Sequence, residues 1–515
     1  MNMIGGVELK NKINYGRKRI ILDYDEVTPD NVKEVFGKAF PIFASNKKDC
    51  EYLINMFLGD QDILNRPAPN TSNINNKTVV NYAYPITREI VGYTFGNPFE
   101  LVQKDTAKQG EVKKLSDICD YEGAYAVDIS AAIYASICGF GYEITLPSEE
   151  ISEDNTPEMP IVLSALDPRH TFVVQSTKVG NPQIMSCIEI TDSTGKGPKY
   201  ICFTDKYKFT IDNSTKDLVE NNTDNGIQTE ESPIGLDPIT MVENSLLLTG
   251  DWEQAIPVMD ALNQVTSDSL NDIEGAIKSL LVLIGTELDD EGTTLKMIKD
   301  KRLLALANGN GQTGQLDAKF ISPKLDSTEV KEIREFLNDA RNIITGIPDR
   351  QTAVGGDTGA AVINRNGWTD IEIVARLKEL YFKKAKKKQV AVALRILQNL
   401  GIVPKTLKVM DIDISLGRNT LDNLSVKASA FASLVATGEL ATIDALDFSG
   451  LTNRTAEVVA RGEKAKEERI KANLALGVDP LTVSGGGGKY NYNYSYDKQS
   501  DKKDESAAMD LKKSD

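Results

Sequence analysis

Along the second half of the chain, apolar positions return at steps of three and four. Between 250 and 285 they are Leu262, Val265, Ile273, Ile277, Leu280 and Ile284. That spacing predicts one long helix with a single apolar face. A second face carries Asp260, Gln264, Asp268 and Asp272, each four residues from the next. Such positions stack on a helix surface, so they form one polar, mostly acidic stripe. A second long helix opens at Asp326-Ser327-Thr328-Glu329, an N-cap followed by an acidic first turn. Val330, Ile333, Leu337, Ala340 and Ile344 make its apolar seam, and Gly346-Ile347-Pro348 ends it. A third runs from Ala360 to about Leu400 and carries a basic run, Lys383, Lys384, Lys386, Lys387 and Lys388. Such a run reads either as a solvated face or as a contact for phosphates or an acidic neighbour.

The first half is more mixed. Thr28-Pro29-Asp30 opens a short helix ending near Gly37. Further helices are expected from Lys47 to Phe57, from about Lys77 to Phe95, and from about Val112 to Cys138. Between Ile161 and Ile211, short β-branched and aromatic runs broken by Pro182, Gly195-Lys196-Gly197-Pro198 and Asp205-Lys206 predict an antiparallel β region. Past the third long helix come a strand at Val409–Leu416 and helices near 421–437, 441–446 and 454–476. The stretch beyond Gly477, with four consecutive glycines and then Tyr/Asn and Lys/Asp/Ser repeats, buries too little to order itself.

Two connections stand between the long helices. In 286–325, Leu303 to Ala307 leads into Asn308-Gly309-Asn310-Gly311-Gln312-Thr313-Gly314 and then a strand through Lys319 to Ile321. The glycines match Gly-x-Gly-x-x-Gly by count. A dinucleotide site, however, needs a helix N-terminus directly after them, and the following residues read as a strand. A hairpin or strand connection is the better reading. The second connection holds Asp349, Arg350, Gln351, Thr352, Gly355, Gly356, Asp357 and Thr358, a polar glycine loop between two helices.

A chain of 515 residues predicts three or more domains, and 41% hydrophobic with 26% charged residues is the balance of a globular protein. The net charge of −16 argues against gripping nucleic acid with the whole surface, though not against letting a polyanion slide past. With His170 as the sole histidine, histidine–metal clusters and Ser-His-Asp chemistry have nothing to work with. Five scattered cysteines without a Cys-x-x-Cys pair suggest reduced, mostly buried thiols. No secretory leader is expected. The most apolar window, Ala124 to Tyr142, contains Asp128, so no membrane span is expected either.

Four stretches together resemble one family. They are Gly59-Asp60-Gln61-Asp62-Ile63-Leu64-Asn65-Arg66 with Asn81-Tyr82 and Ile90 to Pro98; Ile137-Cys138-Gly139-Phe140-Gly141-Tyr142-Glu143 with Leu166-Asp167-Pro168; Gly250-Asp251-Trp252-Glu253 with Asp260-Ala261-Leu262-Asn263, Ser267-Asp268 and Asn271-Asp272; and Gly346-Ile347-Pro348-Asp349 with Gly359-Ala360-Ala361. In this order and separation the chain resembles the portal proteins of tailed double-stranded DNA bacteriophages, the Gp-six-like portal family, over roughly 50 to 470. It departs from the family at Leu262, where a Tyr is common, and around Arg418-Asn419.

The resemblance implies an α+β, mainly α-helical fold that forms a ring, usually of twelve copies, at one capsid vertex. Residues 1–45 would be an N-terminal arm, 46–249 a wing, and 250–285 and 326–345 two stem helices around a channel. Residues 286–325 would be the clip, with Leu303, Asn308, Asn310, Gln312 and Lys319 placed to dock the large subunit of the terminase motor and later the head-completion adaptor. Residues 346–360 would be the tunnel loop facing DNA, 361–402 the helix joining wing and crown, 403–476 the crown and 477–515 a disordered tail. The stripe at Asp260, Gln264, Asp268 and Asp272 would line the channel and repel phosphates. Twelve copies would carry a charge of about −190, a field through which DNA passes only when driven. Major capsid and scaffolding proteins would be further partners, and assembly would take place in the host bacterial cytoplasm. No cofactor is implied and no chemistry. The competing readings are another virion component of the head–tail region without a DNA channel, and a nucleotide-using enzyme resting on the glycines at 309–314. The enzyme reading lacks a phosphate-binding lysine in context.

Overall fold

The computed structural model describes residues 3–4, 7–8, 14–68, 73–103, 109–148, 159–191, 198–212, 227–277, 280–284, 303–306, 317–321, 327–348, 368–416, 424–449, 451 and 455–475. They fall into two compact units, Met1–Asp422 and Asn423–Asp515, where length alone suggested three or more domains. The loop 349–358, Asn308, Asn310, Gln312 and the stretch 477–515 lie outside the described residues.

The first unit opens with short strands β1 (Met3–Ile4), β2 (Val7–Glu8) and β3 (Ile20–Leu22), then helix α1 (Val32–Leu58). The pattern predicted two helices here. The structure has one of 27 residues that continues through Gly37 and Pro41. Packing overrides the local breakers. Val32, Val35, Phe36, Ala39 and Phe43 lie on one face and are buried in a cluster with strands of a six-stranded sheet, while Cys50, Leu53 and Ile54 enter a second cluster. Helix α2 (Ala83–Phe95), strand β4 (Phe99–Gln103) and helices α3 (Gln109–Tyr121) and α4 (Ala124–Cys138) follow. The single helix expected at 112–138 is thus two, divided at Gly123 with φ of 73°.

Strands β5 (Phe140–Pro147), β6 (Ile161–Leu166), β7 (Thr171–Ser176), β8 (Gln183–Thr191), β9 (Pro198–Phe203), β10 (Tyr207–Asp212), β11 (Ile227–Glu231) and β12 (Ile239–Glu243) build the β region. One sheet runs β11-β10-β9-β8-β7-β3 and the other β12-β5-β6. All pairs are antiparallel except β3 with β7. Cys187 and Cys202 face each other across β8 and β9 and are joined as a disulfide, which corrects the expectation of five free thiols. Cys50 and Cys138 are buried free thiols, and Cys119 is a half-buried one.

Helix α5 (Ile256–Ile277) follows a 3-10 turn at Glu253–Ala255. It ends eight residues earlier than the periodicity predicted, since Leu280–Ile284 is strand β13. The run Leu280-Leu281-Val282-Leu283-Ile284 is continuously apolar, the signature of a central strand rather than of a helix face. It lies between β14 (Leu303–Leu306), parallel, and β15 (Asp317–Ile321), antiparallel. Residues 303–306 and 317–321 are therefore the two outer strands and do not pair as a hairpin. Helix α6 (Ser327–Thr345) packs along α5 and reaches the 3-10 turn at its root, so the two run antiparallel. Helix α7 (Trp368–Asn399) then crosses back over β5, β12 and α2, and β16 (Ile412–Leu416) pairs with β4.

In the second unit, α8 (Leu424–Ala436) packs on α9 (Thr442–Ser449), and α9 packs on α10 (Thr455–Ala475).

Candidate functional site

The candidate site is the helix pair α5 and α6 with the joint that roots it. The joint assembles the sequence segments that carry the family resemblance. Trp252 is fully buried and its indole N–H donates to Thr87 Oγ1 of α2 at 3.0 Å. Asp251 accepts from Ser136 Oγ of α4 at 2.6 Å and Asn244 Nδ2 at 2.8 Å, and pairs with Lys378 of α7 at 2.6 Å. Glu253 accepts from the backbone N–H of Gly16 at 2.7 Å and of Gly250 at 2.9 Å. It also pairs with Arg17, both side chains being fully buried. Such charges are tolerable only because each is paired and hydrogen-bonded.

Two glycines make the joint possible. Gly139 has φ of 88°, and a Cβ there would collide with the backbone of Leu248. A Cβ on Gly250 would collide with the carbonyl of Ile137. Backbone from two segments, 136–139 and 248–250, meets at distances that only a missing side chain allows.

A second knot ties α5 further along. Asn263 Nδ2 donates to Gln61 Oε1, both residues being buried. Gln61 Nε2 donates to Asn81 Oδ1 at 3.3 Å, and Asn81 Nδ2 donates to the Phe57 carbonyl at 2.8 Å. Three amide residues far apart in sequence thus hold the end of α1, the start of α2 and α5 together. The guanidinium of Arg341 on α6 sits 4.0 Å from the ring centroid of Tyr82, a cation–π contact that adds the second long helix.

The predicted stripe on α5 divides. Gln264 and Asp272 are exposed, and Asp268 is half-exposed and pairs with Arg66 at 2.6 Å. Asp260 is half-buried beside Tyr15 and Tyr52. Burial raises the Tyr52 hydroxyl above its usual range, and the charges of Asp62 and Asp260 raise it further. On α6, Val330, Leu337 and Ala340 of the predicted seam are half-buried while Ile333 and Ile344 are exposed. Phe336 and Ile343, one heptad apart on the flank of that seam, are 70% and 80% exposed. Of the clip residues, Leu303 pairs in register with Leu281 and Lys319 with Val282.

The basic run on α7 is not one uniform face. Lys386 turns inward, is almost fully buried and pairs with Asp128 of α4. Beside it stands Glu143 of β5, also buried, which desolvation and then the Asp128 charge push up to about 8. Burial raises Asp128 as well, against the pull of Lys386. Lys383 pairs with Glu379 at 2.6 Å, and Lys384 lies 4.0 Å from Glu243. Lys384, Lys387 and Lys388 are exposed. His170 is partly exposed, its Nδ1 3.5 Å from a Glu189 carboxylate oxygen. Among the described residues no cluster of His, Cys, Asp and Glu is arranged to hold a metal ion, and no helix is long and apolar enough to cross a membrane.

Residues 38–472 match the family described as phage portal protein, SPP1 Gp6-like, and the chain belongs to that family. It is thus a portal protein of the head-to-tail connection, a structural component of the virion. No curated protein matches it. Among solved structures, the neck of an empty gene transfer agent (GTA) particle, computed with C6 symmetry, is 14% identical over 78% of this chain and 94% of that chain, with a TM-score of 0.42. The neck of a native particle, computed with C12 symmetry, is 12% identical over the same shares, with a TM-score of 0.41.

Proposed function

We propose that the chain assembles into a ring of about twelve copies at one capsid vertex and conducts double-stranded DNA during packaging and ejection. The observation that carries this reading is the outer face of α6. Phe336 and Ile343 stand open to solvent on a helix that is exposed along most of its length. Large apolar side chains grouped on a helix flank gain by being covered, and a second copy of the same chain is the partner that repeats around a ring. Ile373, Leu377 and Leu380 of α7, at helical spacing and exposed, offer a second such face.

With those flanks between copies, the exposed Gln264 and Asp272 and the half-exposed Asp268 of α5 are free to border the channel. Carboxylates there discourage phosphates from settling, because DNA carries one charge per ~1.7 Å of its axis. The sheet of β13, β14 and β15 stands at the far end of the helix pair and is the surface proposed to dock the terminase large subunit and then the head-completion adaptor. The loop from Asp349 to Thr358 is the proposed narrowest ring around DNA. Deleting 351–358 should leave ring assembly intact and impair packaging or retention of DNA; loss of assembly would instead make the loop a packing element. Major capsid and scaffolding proteins are the proposed neighbours at the vertex, and assembly is proposed to take place in the host bacterial cytoplasm.

Light scattering on the purified full chain across salt and protein concentration tests the reading. The expected mass is that of about twelve copies. Monomers under every condition would overturn it.

A further inference from the structure

The segment from 74 to 80 lies outside the sheets yet follows α5 closely. The Val80 N–H donates to Asn263 Oδ1 at 2.8 Å, the Thr78 N–H to Ser267 Oγ at 2.9 Å, and the Asn76 N–H to Asn271 Oδ1 at 2.7 Å. Alternate amides of this segment meet every fourth residue of one helix, in opposite chain directions. The fit is metric. Four helical residues rise about 6.0 Å, and two extended residues span about 6.6 Å. Three successive teeth therefore stay in step.

Specific side chains lock the register. Asn76 Nδ2 donates to Asn271 Oδ1 at 3.0 Å and to Glu274 Oε2 at 2.9 Å. Asn263 and Ser267 have no solvent exposure, so their oxygens have no water to turn to.

We propose that Asn263, Ser267 and Asn271 are positioning residues that fix the roll of α5 about its axis and so decide which of its faces looks outward. Gln264, Asp268 and Asp272 each follow a tooth of this zipper by one residue, about 100° further round the helix. Holding the teeth against 76–80 turns the acidic stripe away from that segment. An apolar face alone tolerates sliding and rotation, whereas directional bonds to a fixed main chain do not. The link to a channel rests on the ring reading above; the zipper itself does not.

The test compares Ser267→Thr with Ser267→Val in the full-length protein. The two substitutions add nearly the same volume, and only threonine keeps the acceptor. Hydrogen exchange is followed by mass spectrometry over peptides spanning 74–82. Exchange at Thr78 should stay near wild type in S267T and quicken roughly tenfold in S267V, the loss of about one buried hydrogen bond. A cysteine at Gln264, read by maleimide labelling, reports the roll, and its rate should change in S267V and Asn271→Ala but not in S267T. Equal exchange and labelling in S267T and S267V would overturn the proposal. If exchange separates the variants but the wild-type protein never forms rings, the zipper stands and the channel reading falls.

Discussion

Lys378, about a third of the way along the long helix α7, reaches Asp251 at the root of α5, 2.6 Å from Oδ1, with both side chains almost fully buried. Asn244 and Ser136 complete the hydrogen bonding of the same carboxylate. Two helices far apart in sequence are joined by one charge pair, and the rest of the joint forms around it.

Removing one partner is therefore costly. Lys378→Met leaves a buried, uncompensated carboxylate and should destabilise by about 3–5 kcal/mol. The double variant Lys378→Met with Asp251→Asn should cost less than the sum of the two single changes. Denaturant unfolding of the four proteins measures the coupling, and strict additivity would remove the pair from this role.

The glycine contacts make a second prediction. Gly250→Ala places a methyl group against the Ile137 carbonyl. The backbone of the joint has to shift, at about 1–3 kcal/mol. Gly275→Ala, where a Cβ meets nothing, serves as the control and should be neutral or slightly stabilising. Melting temperatures of the two variants decide it.

Much of this was legible in the sequence. The helix α6 and the antiparallel region were readable because each depends on a local period, but the period did not give exposure: Ile333 and Ile344 of the expected α6 seam are exposed, and Asp260 of the α5 stripe is half-buried. The long α1 was not, since Gly37 and Pro41 argue for a break that only the packing of Phe36 and Phe43 overrides. The end of α5 was misplaced because Leu280 and Ile284 fit a helical step as well as a strand. The signal that separates the two is the unbroken apolar run between them. The zipper was missed although Asn263, Ser267 and Asn271 stand four residues apart. Their neighbours Gln264, Asp268 and Asp272 show the same spacing, and periodicity alone cannot say which row faces inward. The inward turn of Lys386 was hidden for the same reason, within a run of like charges.

Glu143 gives a pH dependence. Its carboxyl is held up to about 8 by burial and then by the Asp128 charge, against an ordinary value of 4.5. Between those values the native protein keeps a proton that the unfolded chain has released. The stability this group contributes is full below about 4.5 and falls as pH rises towards about 8. Glu143→Gln removes that titration, so its melting temperature should decline less over this window than that of wild type. Parallel curves would show that Glu143 does not hold the proton.

The exposed flank of α6 is open to a direct perturbation. Phe336→Asp with Ile343→Asp changes two side chains that the isolated protomer does not bury. Helix content by circular dichroism should be unchanged, while the oligomer dissociates to protomers in light scattering. Intact oligomers would place the interface elsewhere.

Electron microscopy of the purified oligomer viewed down its axis bears most directly on the ring. The expected image is a closed ring of about twelve subunits with α5 and α6 around an open centre, and with Gln264, Asp268 and Asp272 bordering it. An assembly with no central opening, or one with those side chains turned to its outer surface, would contradict the proposal that this chain conducts DNA.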